Sequence, residues 1–363
     1  MNEFELKQAR IQDLLAAHGL NALVLRRVGS IAWATGGADT HVNTAESLGI
    51  ASLVLTPTGR FAVTNTIEAP RLTREERLGE LGWEVVASPW YETTDAVSAL
   101  THGLAVGCDG PLAGATDLSG GLARLRADLT PAEGERFRGL GRLCAAAMDD
   151  AIRAVQPGQT EHAIAARLAF EAERRGVQAV VNLIATDERI VNFRHPVPKA
   201  RALERYAMLV LCGRQYGLVC SITRLVHFGA MPTDLRRKVE AVARIDATYI
   251  EATRPGASLG DIFRRGMQAY AAAGFPDEWQ LHHQGGPAGY EPREIVATPT
   301  ATACVSIGQA YAWNPSITGA KSEDTILIGA NGPEVLTAIP GWPSLEVSIH
   351  GRVLERPAVL EVA

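Results

Sequence analysis

Cysteine is scarce and cannot pair off evenly in this chain. The five residues Cys108, Cys144, Cys212, Cys220 and Cys304 form an odd set with no CxxC spacing. That argues against a disulfide framework and against a thiolate zinc cluster, and it points to a reducing, cytoplasmic setting. A basic surplus is also missing. There are 35 Lys and Arg against 40 Asp and Glu, a net charge of -5, and the cations are dispersed, so neither nucleic acid nor a membrane surface is an expected partner. Long apolar runs are lacking too, since stretches such as Ile50–Leu55 and Ala207–Leu211 are far too short to span a bilayer. The opening MNEFELKQARIQDLLAAHG reads as an amphipathic helix of mixed charge and not as a signal peptide. Finally, the chain has no GxSxG elbow, no GxxxxGK[ST] loop and no HExxH helix, which lowers the weight of three common hydrolase and nucleotide-binding classes.

What remains is a globular composition, 47% apolar and 21% charged over 363 residues, enough for two domains that each bury a core. Residues 1–129 alternate helical and extended signals. A helix ends near Gly19, strands follow at Ala22–Leu25, Ile50–Leu55 and Phe61–Thr64, a helix is expected over Ile67–Leu78, and further strands at Trp83–Val86 and Ala105–Cys108. That order is α/β. Gly36–Asp39 reads as a turn, because no Rossmann helix pattern follows it. A second domain, 130–363, begins where Thr130 can cap a helix, Pro131 suits its first turn and Glu133 completes a capping box. The helix is expected to reach Val155 and to stop at Pro157-Gly158.

The second domain contains a repeat. Ala151–Gly176 matches Tyr249–Gly274 without a gap, pairing Ile152 with Ile250, Pro157-Gly158 with Pro255-Gly256, Ile164 with Ile262, Arg167 with Arg265 and Gly176 with Gly274. Each copy reads as helix, Pro-Gly break, capped helix and terminal glycine. Extended stretches follow both, Gln178–Ala185 in the first and Trp279–Gly286 with Ile295–Thr298 in the second. Two equivalent halves meet at a pseudo-symmetry axis, where pockets tend to form.

Four segments carry the chemistry: Asn192–Pro196, Cys212–Arg224, His282–Glu291, and Trp313–Ser316 with Lys321–Asp324. Together they resemble the pita-bread family, peptidase family M24, which includes methionine aminopeptidase, Xaa-Pro peptidases and prolidase beside metal-free relatives such as creatinase. The resemblance implies an α/β fold, with a creatinase-type N-terminal α/β domain followed by a duplicated pita-bread domain, and it implies a homodimer. In peptidase members two Asp, one His and two Glu hold a pair of divalent ions that activate water. Carried over by position, His283 and Glu323 match ligands. Ser221 and Asn314 stand where carboxylates are expected, and so does Leu211 or Cys212, depending on a one-residue gap. One His and one Glu do not satisfy two hard cations that need bridging carboxylates, so no ion pair and no other cofactor is expected; a single weakly held zinc is the one metal reading left open.

His195, in Arg-His-Pro, matches the histidine that the resemblance assigns to substrate contact and to acid–base work in creatinase. A site of catalytic His195, His283 and Glu323 follows, lined by Ser221, Tyr290, Arg293 and Asn314. Cys212 and Cys220 read as inert core thiols, and Arg224 as structural. The expected function is metal-independent hydrolysis of a C–N bond in a small polar molecule, creatinase-like. The alternatives are an inactive pseudo-peptidase that binds a peptide or small ligand, and an ordinary Xaa-Pro dipeptidase or aminopeptidase.

Overall fold

The structure is a computed structural model, and it describes residues 2–92 and 94–363. Two compact units divide the chain: one runs up to Arg126 and includes Tyr216–Leu218, and the other comprises Ala127–Gln215 and Val219–Ala363.

In the first unit α1 (Glu3–Ala17) is capped by Asn2, whose side chain accepts the Glu5 N–H while Glu5 reaches back. This capping box satisfies two orphan donors at once. The expected strands appear as β1 (Ala22–Arg27), β2 (Leu48–Thr56), β3 (Gly59–Asn65), β4 (Glu84–Ser88) and β5 (Val106–Cys108), with a short β6 (Thr116–Asp117). Their order is β4-β3-β2-β1-β5-β6. Between β1 and β2 lies α2 (Val28–Thr35), buried at every position and therefore without the periodic pattern that marks a half-exposed helix. The helix expected over Ile67–Leu78 is shorter, α3 (Ala69–Arg74). Arg77 takes φ 54° and the Leu78 N–H turns back to the Leu72 carbonyl, so the chain leaves the helix a full turn early. Two further helices, α4 (Ala96–Leu100) and α5 (Ser119–Ala127), complete the unit.

The second unit begins with α6 (Pro131–Arg153), and the Thr130–Glu133 capping box forms as read. The elements α7 (Glu161–Glu173), β7 (Gln178–Thr186), α8 (Glu188–Asn192), β8 (Tyr206–Gln215), β9 (Leu218–Phe228), α9 (Thr233–Ala252) and α10 (Leu259–Ala272) follow. Beyond a 3-10 turn at Glu278–Leu281 come β10 (Gly285–Ala288), β11 (Ala310–Trp313), β12 (Ser316–Ile317), β13 (Ala320–Lys321), β14 (Asp324–Gly329) and β15 (Gly332–Val335). The chain ends in β16 (Ser344–Ile349), β17 (Arg352–Pro357) and β18 (Leu360–Val362). Two four-stranded sheets, β18-β9-β8-β7 and β10-β11-β14-β15, are joined by a bridge between Thr223 and Glu323. Trp279–Gly286 and Ile295–Thr298 are not the expected strands: only Gly285–Ala288 is extended and paired. The Trp279 indole instead packs edge-on against Phe263 of α10.

The repeat is visible in hydrogen bonds as well as in sequence. Gly158 and Gly256 donate to Leu203 and Val305, Leu203 and Val305 donate back to Gln159 and Ala257, and Glu161 and Leu259 donate to Arg201 and Ala303. Both glycines sit near φ 90°, at 88° and 86°, and Thr160 and Ser258 cap the following helices. Behind the second sheet the largely aliphatic core holds an aromatic stack. Tyr249 stacks on Trp313 at 4.7 Å, and the indole N–H of Trp313 is satisfied by Thr253 at 2.9 Å, as a buried donor requires.

Two glycines allow the close strand approach that seats the pocket. At Gly285 φ is 108° and a Cβ would lie 2.1 Å from the Ala312 carbonyl; at Gly286 one would lie 2.2 Å from that of Ile295. Gly285→Ala is therefore expected to cost about 3 kcal/mol of unfolding free energy. Gly139→Ala, on α6 with open space at its Cβ, is expected to stabilise by roughly 0.5 kcal/mol. Denaturant melts of the two variants check this contrast.

Candidate active site

Two segments of the second unit bring three imidazoles together. His195 lies in the loop after α8. The bend into α8 is held by Asp187, at φ 51°, whose carboxylate accepts the backbone N–H groups of Glu204, Arg205 and Tyr206 at 2.9–3.0 Å. Three charge-assisted bonds offset the strain of that backbone. Arg194 then donates to Glu278 at 2.5 Å and to Thr318 at 2.9 Å. Glu278 opens the 3-10 turn that delivers His282 and His283, so this ion pair ties the two histidine segments to each other. Gln284 fixes the second segment from behind. Its amide donates to the carbonyls of Trp279 and His282, and its oxygen accepts the Tyr270 hydroxyl at 2.8 Å.

The rings of His282 and His283 stack at 4.4 Å, and His195 stands edge-on to His282 at 4.8 Å. The Nε2 atoms of His195 and His282 are 3.0 Å apart, so one nitrogen carries the proton and the other presents its lone pair. The Nδ1 atoms of both His282 and His283 are buried without a hydrogen-bond partner. Partial burial, reinforced by Lys321, lowers His195 below the ordinary imidazole range although the residue reaches the surface. The same two causes press His282 down to about 2, while burial and Arg293 press His283 down to about 4. All three rings are therefore neutral at pH 7.

Beside them is Glu323, only 2% exposed. Arg293 meets one carboxylate oxygen at 2.9 Å, and Lys321 and Thr223 meet the other at 3.0 and 2.5 Å. Burial alone pushes this carboxyl up, but the two cations and the Thr223 hydroxyl outweigh it and hold the group at about 2. The backbone of Glu323 is clamped from the other side. Arg224 bonds the Thr223 and Glu323 carbonyls and the Asp324 carboxylate, a structural role as read. Arg356 links Asp324 to Asp246.

Ser221, Arg293 and Glu323 come together as the sequence suggests, since Arg293 also donates to the Ser221 hydroxyl at 3.2 Å. Asn314 is buried next to the Gln284 backbone, with its side-chain oxygen unpartnered. Tyr290 is not brought to this group by its hydroxyl, which is donated to Glu133 at 2.6 Å. Of the two candidates before Gly213, Cys212 is the one at the pocket. Its sulfur touches the Ser221 hydroxyl at 3.3 Å, and the shift that carries Leu203 onto Val305 also carries Cys212 onto Asn314 and Ser221 onto Glu323. Burial raises the Cys212 thiol to about 11, so it is not a nucleophile at neutral pH. Sequence reasoning gave no role to His282, Lys321 or Thr223. Lys321 and Glu323 are two apart, the spacing that puts extended residues on one face, and that signal was available.

The residues do not fit a pair of divalent ions. Both oxygens of Glu323 are taken by cations and a hydroxyl, and the neighbouring positions are a protonated thiol, a hydroxyl and an amide, none of which bridges two ions.

A duplicated α/β unit with a polar site where its two sheets are bridged is the architecture of the pita-bread fold. The chain belongs to metallopeptidase family M24, whose model matches residues 135–330. It is similar to an agropine synthesis cyclase of Rhizobium rhizogenes, 26% identical over 154 residues, 39% of each chain. An uncharacterized peptidase of Staphylococcus haemolyticus is 25% identical over 232 residues, covering 61% of this chain and 65% of the relative. The matches thus span less than two thirds of these relatives' lengths. In fold, an Xaa-Pro dipeptidase from Bacillus anthracis superimposes with a TM-score of 0.80 at 16% identity, over 99% of this chain and 100% of that one. No helix among the described residues is long and apolar enough to cross a membrane.

The depressed imidazoles make stability pH-dependent. Between an unfolded value near 6.5 and folded values of about 4 and about 2, the unfolded chain binds the extra protons. Stability is full above about pH 6.5 and falls as the pH drops toward 4. The loss should be on the order of 4 kcal/mol by pH 5, about 2 kcal/mol from each ring, and His282→Asn should shrink it by about half; urea melts in chelator-treated buffer at pH 7.5 and 5 measure both.

Proposed function

We propose that this M24 family member is a hydrolase that works without the family's ion pair and cleaves a C–N bond in a small polar, preferably anionic, metabolite. The observation that carries this reading is the closure of Glu323 by Arg293 and Lys321. Two fixed cations against one carboxylate, with neutral histidines around them, leave one positive charge in the pocket. That charge suits a substrate carboxylate, or an oxygen that becomes negative in the transition state. The similarity to a cyclase of agropine synthesis also supports chemistry on a small molecule.

In this reading His195 takes a proton from water, the water oxygen bonds to the electrophilic carbon, and the C–N bond breaks as His195 returns that proton to the departing nitrogen. A ring with a lowered pKa is a modest acceptor but a strong donor once loaded, which suits the second step. Water passes its proton more readily if Arg293, with Ser221 and Asn314, stabilises the oxygen on the carbon being attacked. The N-terminal unit would be the creatinase-type domain, residues 1–129, and the protein a cytoplasmic homodimer.

Purified, chelator-treated full-length protein is to be assayed against small N-substituted amino acids, guanidino acids and Xaa-Pro dipeptides. The expected result is amine release from a small acid that is unchanged by chelator and reduced at least about 100-fold in His195→Ala. Dipeptide hydrolysis that requires two added ions per chain would contradict the proposal. Binding of a small acid without turnover would favour the pseudo-peptidase alternative.

A further inference from the structure

We propose that His195, His282 and His283 form a site for one divalent transition-metal ion of the zinc, cobalt and nickel class, sharing only His283 with the paired-ion site of the family. The three residues are a set of convergent ligating side chains among the described residues, with one candidate atom from each lying within 4.8 Å of the others. His283 alone occupies a family ligand position. His282 matches none of them, and His195 matches a substrate-contact position.

Three observations carry the site. Three imidazoles are the donor set in which zinc is held with one position open, and imidazole suits zinc, cobalt and nickel better than magnesium or manganese. Zinc–nitrogen bonds of 2.0–2.1 Å in a tetrahedron put the nitrogens roughly 3.3 Å apart. One candidate nitrogen from each ring lies within 4.8 Å of the others, so closing around an ion takes ring movements of roughly an ångström. Independently, the Nδ1 atoms of His282, a residue nine-tenths buried, and of His283 have no hydrogen-bond partner. A buried polar atom left unpaired costs about 1–3 kcal/mol, and a metal ion is one partner to which its lone pair can donate.

The charged groups facing the rings are Lys321, Arg293 and Glu323. Their sum is one positive charge, which opposes a dication. Binding should therefore be micromolar, well short of a structural zinc site, and should tighten when a small anion supplies the fourth ligand. An ion on His195 takes the lone pair that the proposed hydrolysis uses, so loading and turnover exclude each other. The site itself does not rest on that hydrolysis.

The test is a titration of chelator-stripped full-length protein with Co²⁺, followed by visible absorption and by competition with Zn²⁺. One ion per chain is expected, with intense absorption of the tetrahedral type. Binding should weaken at least tenfold in both His282→Ala and His195→Ala, and stay unchanged in His162→Ala, an exposed histidine bonded to the Pro198 carbonyl. If His282→Ala does not fold, His195→Ala, in an exposed position, still decides the matter. No binding up to about 1 mM, or equal affinity in the variants, overturns the site. Two ions per chain would overturn it and the metal-free reading of the pocket together. One ion per chain with no chelator-resistant hydrolysis would leave the site standing and remove only the hydrolase proposal.

Discussion

The pocket depends on keeping the Glu323 carboxylate ionised in a place that water scarcely reaches. An isolated buried carboxylate would take up a proton. Here Arg293, Lys321 and Thr223 occupy its two oxygens, and the charge persists. The same residue forms the backbone bridge to Thr223 that joins the two sheets, so the ion pair and the seam between the internal repeats are one feature. On the reverse face Arg224, Asp324, Arg356 and Asp246 make a second chain of buried charges. Adjacent residues Glu323 and Asp324 point to opposite sides of the strand, one into the pocket and one into that support.

The histidines obey the opposite requirement. Burial and the neighbouring cations keep them uncharged, which preserves lone pairs that protonation would remove. A pocket with fixed positive charge and neutral nitrogen bases is suited to an anion. It is poorly suited to the hard, carboxylate-bound ion pair of peptidase relatives. The members of family M24 share the framework that places these positions, and the side chains at them decide which chemistry the framework serves.

Much of the second unit was legible because the repeat has local punctuation. Pro-Gly breaks, capping residues and terminal glycines recur in both copies, and the matching hydrogen bonds at Gly158 and Gly256 are their direct result. The positions of His195, His283, Ser221, Arg293 and Glu323 could be picked from short motifs. What sequence did not show was which side chains would close on Glu323. Arg293 comes from the loop after β10 and Lys321 from the strand before Glu323, and only the fold sets them on the two carboxylate oxygens. His282 was overlooked because two adjacent residues in an extended segment normally face opposite ways. Here the two rings stack instead. The buried helix α2 was missed for lack of any polar face, and the strand expected at Trp279 gave way to a 3-10 turn whose indole was needed against α10.

If Glu323 is the counter-charge of Arg293 and Lys321 and not a ligand kept for metal, its value must be measurable in protein from which all metal has been stripped. The direct measurement is the unfolding free energy of Glu323→Gln against wild type in chelator at pH 7.5. Gln keeps the shape and removes the charge, leaving two buried cations uncompensated, so a loss of about 3 kcal/mol is predicted. A variant as stable as wild type without metal, with a difference that emerges only when divalent ions are added, would contradict the account.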